Sequence, residues 1–130
     1  YMSSSMKGSF HYMAPERLDG QEYNASSDIW SLGIMLMELY EQRYPFKQAE
    51  GNQVDLLMEL QSVDIQQHLH QNSYPEYLGD FLAMSLEKVP ECRPTAVVLL
   101  QSEWFKYMGI LDLDHAVDAL NEWVSMTFDS

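Results

Sequence analysis

The hydroxyl-rich run Tyr1-Met2-Ser3-Ser4-Ser5-Met6-Lys7-Gly8-Ser9 is the first place in this chain where side chains could take part in chemistry. A hydroxyl there can accept a phosphoryl group, adding charge that an arginine can pair with and so ordering a loop. Read without context, a serine cluster of this kind is flexible polar linker. Asp28, in Ser27-Asp28-Ile29-Trp30, is an acidic side chain at a helix start; by itself it caps its own helix, and it could also hold a neighbouring loop's backbone. The motif His68-Leu69-His70 has no carboxylate or thiolate at metal-ligand spacing beside it, so a zinc site is not expected. Phosphoryl transfer needs a Lys on the nucleotide phosphates, a catalytic Asp, a metal-binding Asp and Asn, and a Gly-rich cover. None of their motifs occurs here, and there is no G-x-G-x-x-G.

The elements that must position these residues read as helices. Residues 1–11 lack apolar periodicity and read as a loop. Pro15 can open a short helix towards Leu18, which Gly20 would stop. From Ser27 to Glu41 runs the strongest helix, capped by Ser26 or Ser27, with Asp28 in its first turn. Its apolar residues Ile29, Trp30, Leu32, Ile34, Met35, Leu36, Met37 and Leu39 point in nearly every direction, which predicts burial on all sides. Tyr44-Pro45-Phe46 ends it. A helix over 53–62 would bury Val54, Leu57, Met58 and Gln61, and another over 76–87 would bury Tyr77, Leu78, Phe81 and Leu82. The Gln- and His-rich segment 63–75 reads as a loop. Thr95 is an N-cap for Ala96 to Gln101. A last helix would start at Asp114 and show Val117, Leu120, Trp123 and Val124 on one face. No β-alternation is visible, and the nine Met residues fall mostly on helical stripes, as core filler.

At 130 residues and 46% hydrophobic, the chain has the size and composition of one globular domain. Its formal net charge of −13 argues against nucleic-acid or anionic-membrane partners, which would need a basic patch. Asp112, Asp114, Asp118, Glu122 and Asp129 follow Lys106 with no further Lys or Arg, as a solvated acidic face or a surface for a basic partner. No apolar run is long enough for a membrane span, and no secretory leader opens the chain. The start at Tyr1 rather than Met suggests a natural start upstream. The single cysteine, Cys92, cannot form an internal disulfide; this agrees with a reducing compartment, and the expected location is cytoplasmic.

Gly8-Ser9-Phe10-His11-Tyr12-Met13-Ala14-Pro15-Glu16-Arg17, followed by Ser27-Asp28-Ile29-Trp30-Ser31-Leu32-Gly33, resembles the end of the protein-kinase activation segment and the helix after it. Leu86-Glu87-Lys88-Val89-Pro90-Glu91-Cys92-Arg93-Pro94-Thr95 resembles the stretch before the last conserved kinase helix, with Val89 where Asp is usual. Three further stretches resemble mitogen-activated protein kinase kinases. They are Tyr44-Pro45-Phe46 with Glu50 to Leu57, then Ser102-Glu103-Trp104-Phe105, and the tail Asp114 to Val124.

The resemblance implies an all-α fragment: the helical C-terminal lobe of the α+β bilobal kinase fold. Residues 1–105 would be a partial kinase domain, and 106–130 a C-terminal extension with a docking-type helix. It implies a substrate-docking loop of Ser9, Tyr12, Met13, Ala14 and Pro15, and an activation phosphosite at Ser5. Glu16 and Arg93 would form a structural ion pair, whose fork geometries match bidentately. Asp28 would anchor the backbone of a catalytic loop that is not in this chain, and Val117, Leu120 and Trp123 would form the docking helix for an upstream activating kinase. The implied parent transfers the γ-phosphoryl group of ATP, with Mg, to a downstream MAP kinase. This fragment holds no catalytic residue and is expected to be inactive alone and to bind neither ATP nor metal. A pseudokinase or scaffold lobe used for protein interaction is the alternative. An unrelated helical interaction domain would require the whole motif series to be accidental.

Overall fold

A computed structural model describes residues 10–47 and 51–108, together with positions 118, 121 and 122. Among the described residues all regular structure is helical. Helix α1 spans Pro15–Leu18, with Pro15 at its first position and Ala14 extended before it. Gly20 follows with φ +85°, the left-handed conformation that glycine adopts at no steric cost. The loop then leads into α2, Ala25–Glu41.

Asn24, rather than Ser26 or Ser27, caps α2: its side chain accepts from the backbone N–H of Ser26 and Ser27. Asn fits because its short amide reaches the first unsatisfied donors of the helix while its own backbone stays extended. Helix α2 carries the core through Ile29, Trp30, Ile34 and Met37. It is not buried all round, however. Leu32, Met35, Leu39 and Tyr40 are exposed, and so is Asp28. The helix ends at Gln42, a non-glycine residue held left-handed at φ 60°.

Helix α3 spans Gln53–Ser62 and turns Leu56 and Leu60 into the core, not Val54 and Met58, which are exposed. Both stripes have helical spacing, and α1 packing on α3 selects the inner one. Gln53 Nε2 donates to Leu18 O at 3.2 Å across that contact.

The segment 63–75 is not simply a loop. It contains α4, Ile65–Gln71, capped by the Asp64 side chain and burying Ile65 and Leu69. Two apolar residues four positions apart suffice here because the helix is fastened at its outer side. His68 Nε2 lies 2.7 Å from Glu41 Oε2, and the Tyr74 hydroxyl donates to that same oxygen at 2.6 Å. Burial, then the Glu41 hydrogen bond and charge, raises the Tyr74 phenol well above its ordinary range.

Helix α5, Glu76–Ser85, packs against α2, α4 and α7 and buries Phe81, Leu82 and Ser85. It approaches α2 at Gly33, where a Cβ would stand 2.7 Å from Leu86 Cδ2. A 3-10 turn at Pro90–Cys92 precedes α6, Ala96–Leu100, whose N-cap Thr95 accepts from Val98 N. Helix α7, Glu103–Tyr107, sets Trp104 and Phe105 against Phe81, with ring centroids at 4.9 and 5.5 Å. Asp118, Asn121 and Glu122 are helical and exposed.

Candidate functional site

Residues 10–14 form a turn and an extended stretch that α2 holds from below, and Pro15 and Glu16 open α1 directly after it. Met13 N donates to Phe10 O at 3.1 Å, closing the turn. Ser31 Oγ donates to Tyr12 O at 2.6 Å, and Tyr44 Oη donates to His11 O at 2.7 Å. The Tyr12 hydroxyl donates to Glu38 Oε1 at 2.6 Å, so both the backbone and the side chain of Tyr12 are tied to one helix. The rings reinforce this, with Tyr44 edge-on to Tyr12 at 6.2 Å and 4.9 Å from His11. Burial, then the charges of Glu59 and Glu38, keeps the Tyr44 phenol protonated far above its ordinary range, so the donor persists. Ala14 and Pro15 are buried, while Tyr12 and Met13 are half-buried.

Immediately after this stretch, Glu16 meets Arg93. Arg93 Nη1 lies 2.7 Å from Glu16 Oε2 and Nη2 2.8 Å from Oε1, a two-pronged fork. Ser27 Oγ donates to Glu16 Oε2 at 3.0 Å. Arg93 also donates from Nε to Glu87 O at 2.6 Å and from Nη1 to Ser26 O at 3.1 Å, and its guanidinium stands 5.3 Å from the Trp30 ring centroid. The two side chains are only 0% and 5% exposed. Burial opposes ionisation of Glu16. The bonds from Arg93, its own backbone N–H and Ser27, with the Arg93 charge, outweigh burial and hold the carboxyl below its usual range. The pair thus joins the end of the 10–16 segment to the turn before α6 and to the start of α2.

A protein kinase domain model matches residues 2–105 of this sequence. The chain belongs to the protein kinase family. Similar curated proteins include the MAP kinase kinase skh1/pek1 of Schizosaccharomyces pombe, 34% identical over 121 residues, which is 87% of this chain and 32% of that protein. The mitogen-activated protein kinase kinase MST7 of Pyricularia oryzae is 30% identical over 113 residues, 80% of this chain and 27% of that protein. The serine/threonine-protein kinase pakB of Dictyostelium discoideum is 36% identical over 100 residues, 76% of this chain and 11% of that protein. The chain therefore spans less than a third of the length of each of these three relatives.

Within this kinase chain, the structure brings together Tyr12, Met13, Ala14 and Pro15, and it brings Glu16 to Arg93. Asp28 does not share that cluster. Its carboxylate faces outward and accepts the hydroxyl of Tyr23, whose ring lies under the Arg17 guanidinium at 5.3 Å. Ser5, Ser9, Val117, Leu120 and Trp123 lie outside the described residues, as does the helix start expected at Asp114. Sequence reasoning missed Ser31, Glu38 and Tyr44, the residues that fix the 10–16 segment from α2 and its trailing loop. Glu38 was the available signal, a lone carboxylate inside the run Met35-Leu36-Met37-Glu38-Leu39-Tyr40. Among the described residues no group of three or more His, Cys, Asp or Glu could hold a metal ion. No helix among them is long and apolar enough to cross a membrane.

Proposed function

We propose that this chain is the substrate-binding helical part of a kinase that transfers the γ-phosphoryl group of ATP to Ser, Thr or Tyr of a protein, with a MAP kinase as the substrate. The observation that carries the reading is the fixed 12–15 stretch, buttressed by the Glu16–Arg93 pair. A docking loop must present the substrate's backbone in one geometry, and a preorganised surface loses less entropy on binding than a loose one. Kinases draw on ATP and Mg, and the groups that hold these belong to motifs absent from this sequence. Relatives named as MAP kinase kinases support the subgroup. On this reading Ser5 is the activation phosphosite, Asp28 steadies the catalytic loop, and 106–130 is an extension whose Val117, Leu120 and Trp123 engage an upstream kinase.

The test is made on the full-length protein from its natural transcript. Incubated with an upstream activating kinase and Mg-ATP, it should phosphorylate a catalytically dead MAP kinase, and Ser5→Ala should abolish the activation. A folded full-length protein that binds the MAP kinase yet transfers no phosphate would replace this reading with the scaffold one.

A further inference from the structure

Four tyrosines among the described residues are exposed: Tyr23, Tyr40, Tyr77 and Tyr107. Tyr40, Tyr77 and Tyr107 lie in α2, α5 and α7, whereas Tyr23 lies in the irregular stretch 21–24 between α1 and α2. A modifying enzyme that reads an extended peptide reaches such a residue without first opening a helix. Tyr23 is 58% exposed and follows Asp19-Gly20-Gln21-Glu22, which carries a carboxylate at each end. Its surroundings are two charges of opposite sign. The hydroxyl donates to Asp28 Oδ2, and the ring lies 5.3 Å from the Arg17 guanidinium.

That arrangement responds to phosphorylation in one direction. A neutral phenol can donate to a carboxylate. A phosphorylated one has lost the donor proton and carries about −1.5 to −2 charges at neutral pH. Beside Asp28 it is repelled, and beside Arg17 it gains charge-assisted hydrogen bonds. We propose that Tyr23 is a tyrosine-phosphorylation site, and that its modification transfers the side chain from Asp28 to Arg17. In the step itself ATP is the donor. The bond from the γ-phosphorus to the ADP oxygen breaks, a phosphorus–Oη bond forms, and the hydroxyl proton leaves through the modifying enzyme's base to solvent. Asp28 is left without the tyrosine hydroxyl. The site goes beyond the function proposed above; in a parent whose catalytic loop takes the Asp28 carboxylate, the phosphorylated side chain is drawn to Arg17 alone.

The test uses the 130-residue chain, a soluble broad-specificity tyrosine kinase and Mg-ATP, with each site quantified over time by peptide fragmentation. Tyr23 should be labelled roughly tenfold faster than Tyr40, Tyr77 or Tyr107, because those three need local helix opening. Labelling of any helical tyrosine at the rate of Tyr23 or faster overturns the site. The transfer to Arg17 is read on the phosphorylated chain with a nonspecific phosphatase. Arg17→Ala should release phosphate from Tyr23 about fivefold faster, and Arg17→Lys should restore most of the protection. Raising salt from about 0.05 to about 1 M should speed release from the unsubstituted chain relative to a phosphotyrosine peptide of residues 21–25 under the same conditions. If Arg17→Ala and salt both leave the rate unchanged, the transfer is wrong.

Discussion

Replacing Arg93 by Ala removes the one side chain that reaches Glu16, Ser26, Glu87 and the face of Trp30 together. What remains is a Glu16 carboxylate, 5% exposed, whose other side-chain partner is the Ser27 hydroxyl at 3.0 Å. Leaving one member of a buried pair uncompensated costs about 3–5 kcal/mol, against about 5–15 kcal/mol for the whole stability of a domain. Lys106→Ala is the matched control. Its partner Glu103 is 3.4 Å away, and the two side chains are 58% and 68% exposed. An exposed pair of that kind contributes under about 1 kcal/mol. Urea unfolding followed by tryptophan fluorescence should therefore show a large drop in midpoint for Arg93→Ala and almost none for Lys106→Ala. The pH dependence sharpens the test. In the unsubstituted chain the Glu16 carboxyl is held below its ordinary 4.5, so its contribution is complete above that value and fades as pH falls through the folded value. In Arg93→Ala the carboxyl keeps the burial that favours its protonated form and loses the bonds and charge of Arg93 that opposed it, so protonation relieves part of the penalty. The stability gap between the two should narrow as pH is lowered below about 5. Equal melting temperatures for Arg93→Ala and Lys106→Ala at neutral pH would refute the reasoning.

Three smaller effects can be measured alongside. Tyr44→Phe deletes the donor to His11 O and should cost about 1 kcal/mol, with faster amide exchange in residues 10–13; unchanged exchange would mean that α2 alone holds that segment. Gln42→Gly relieves a left-handed non-glycine at the end of α2 and should raise stability by about 1 kcal/mol in a thermal melt. Titration calorimetry of this chain with Mg-ATP should give no binding, and micromolar affinity would overturn the assignment of ATP to motifs outside it.

Where local chemistry decides, the sequence is a good guide. Pro15 at the start of α1, Gly20 beyond its end and Thr95 before α6 each do what their backbone and side-chain chemistry predicts. Where two local answers compete, tertiary packing decides instead. Asn24 takes the cap that Ser26 or Ser27 could have taken, and Leu56 and Leu60 face the core in place of Val54 and Met58. Helix α4 escaped notice because its apolar signal is only Ile65 and Leu69, and its fastening to Glu41 comes from another helix. The Glu16–Arg93 pairing was expected from a family resemblance, since no periodicity links residues so far apart. Tyr12 to Glu38 and Tyr44 to His11 had no such guide, and span 26 and 33 positions.

The separation between Glu16 and Arg93, 77 positions, carries a consequence for time rather than for strength. Bringing the ends of so long a segment together costs about 4 kcal/mol of chain entropy before either group is rewarded. The fork is therefore expected to close after α2 and its neighbours have already docked, on the native side of the folding barrier. A contact made that late leaves the rate of folding nearly untouched and acts on the rate of escape. Arg93 is then a latch on the lifetime of the folded lobe: its loss should leave refolding about as fast as before while unfolding accelerates.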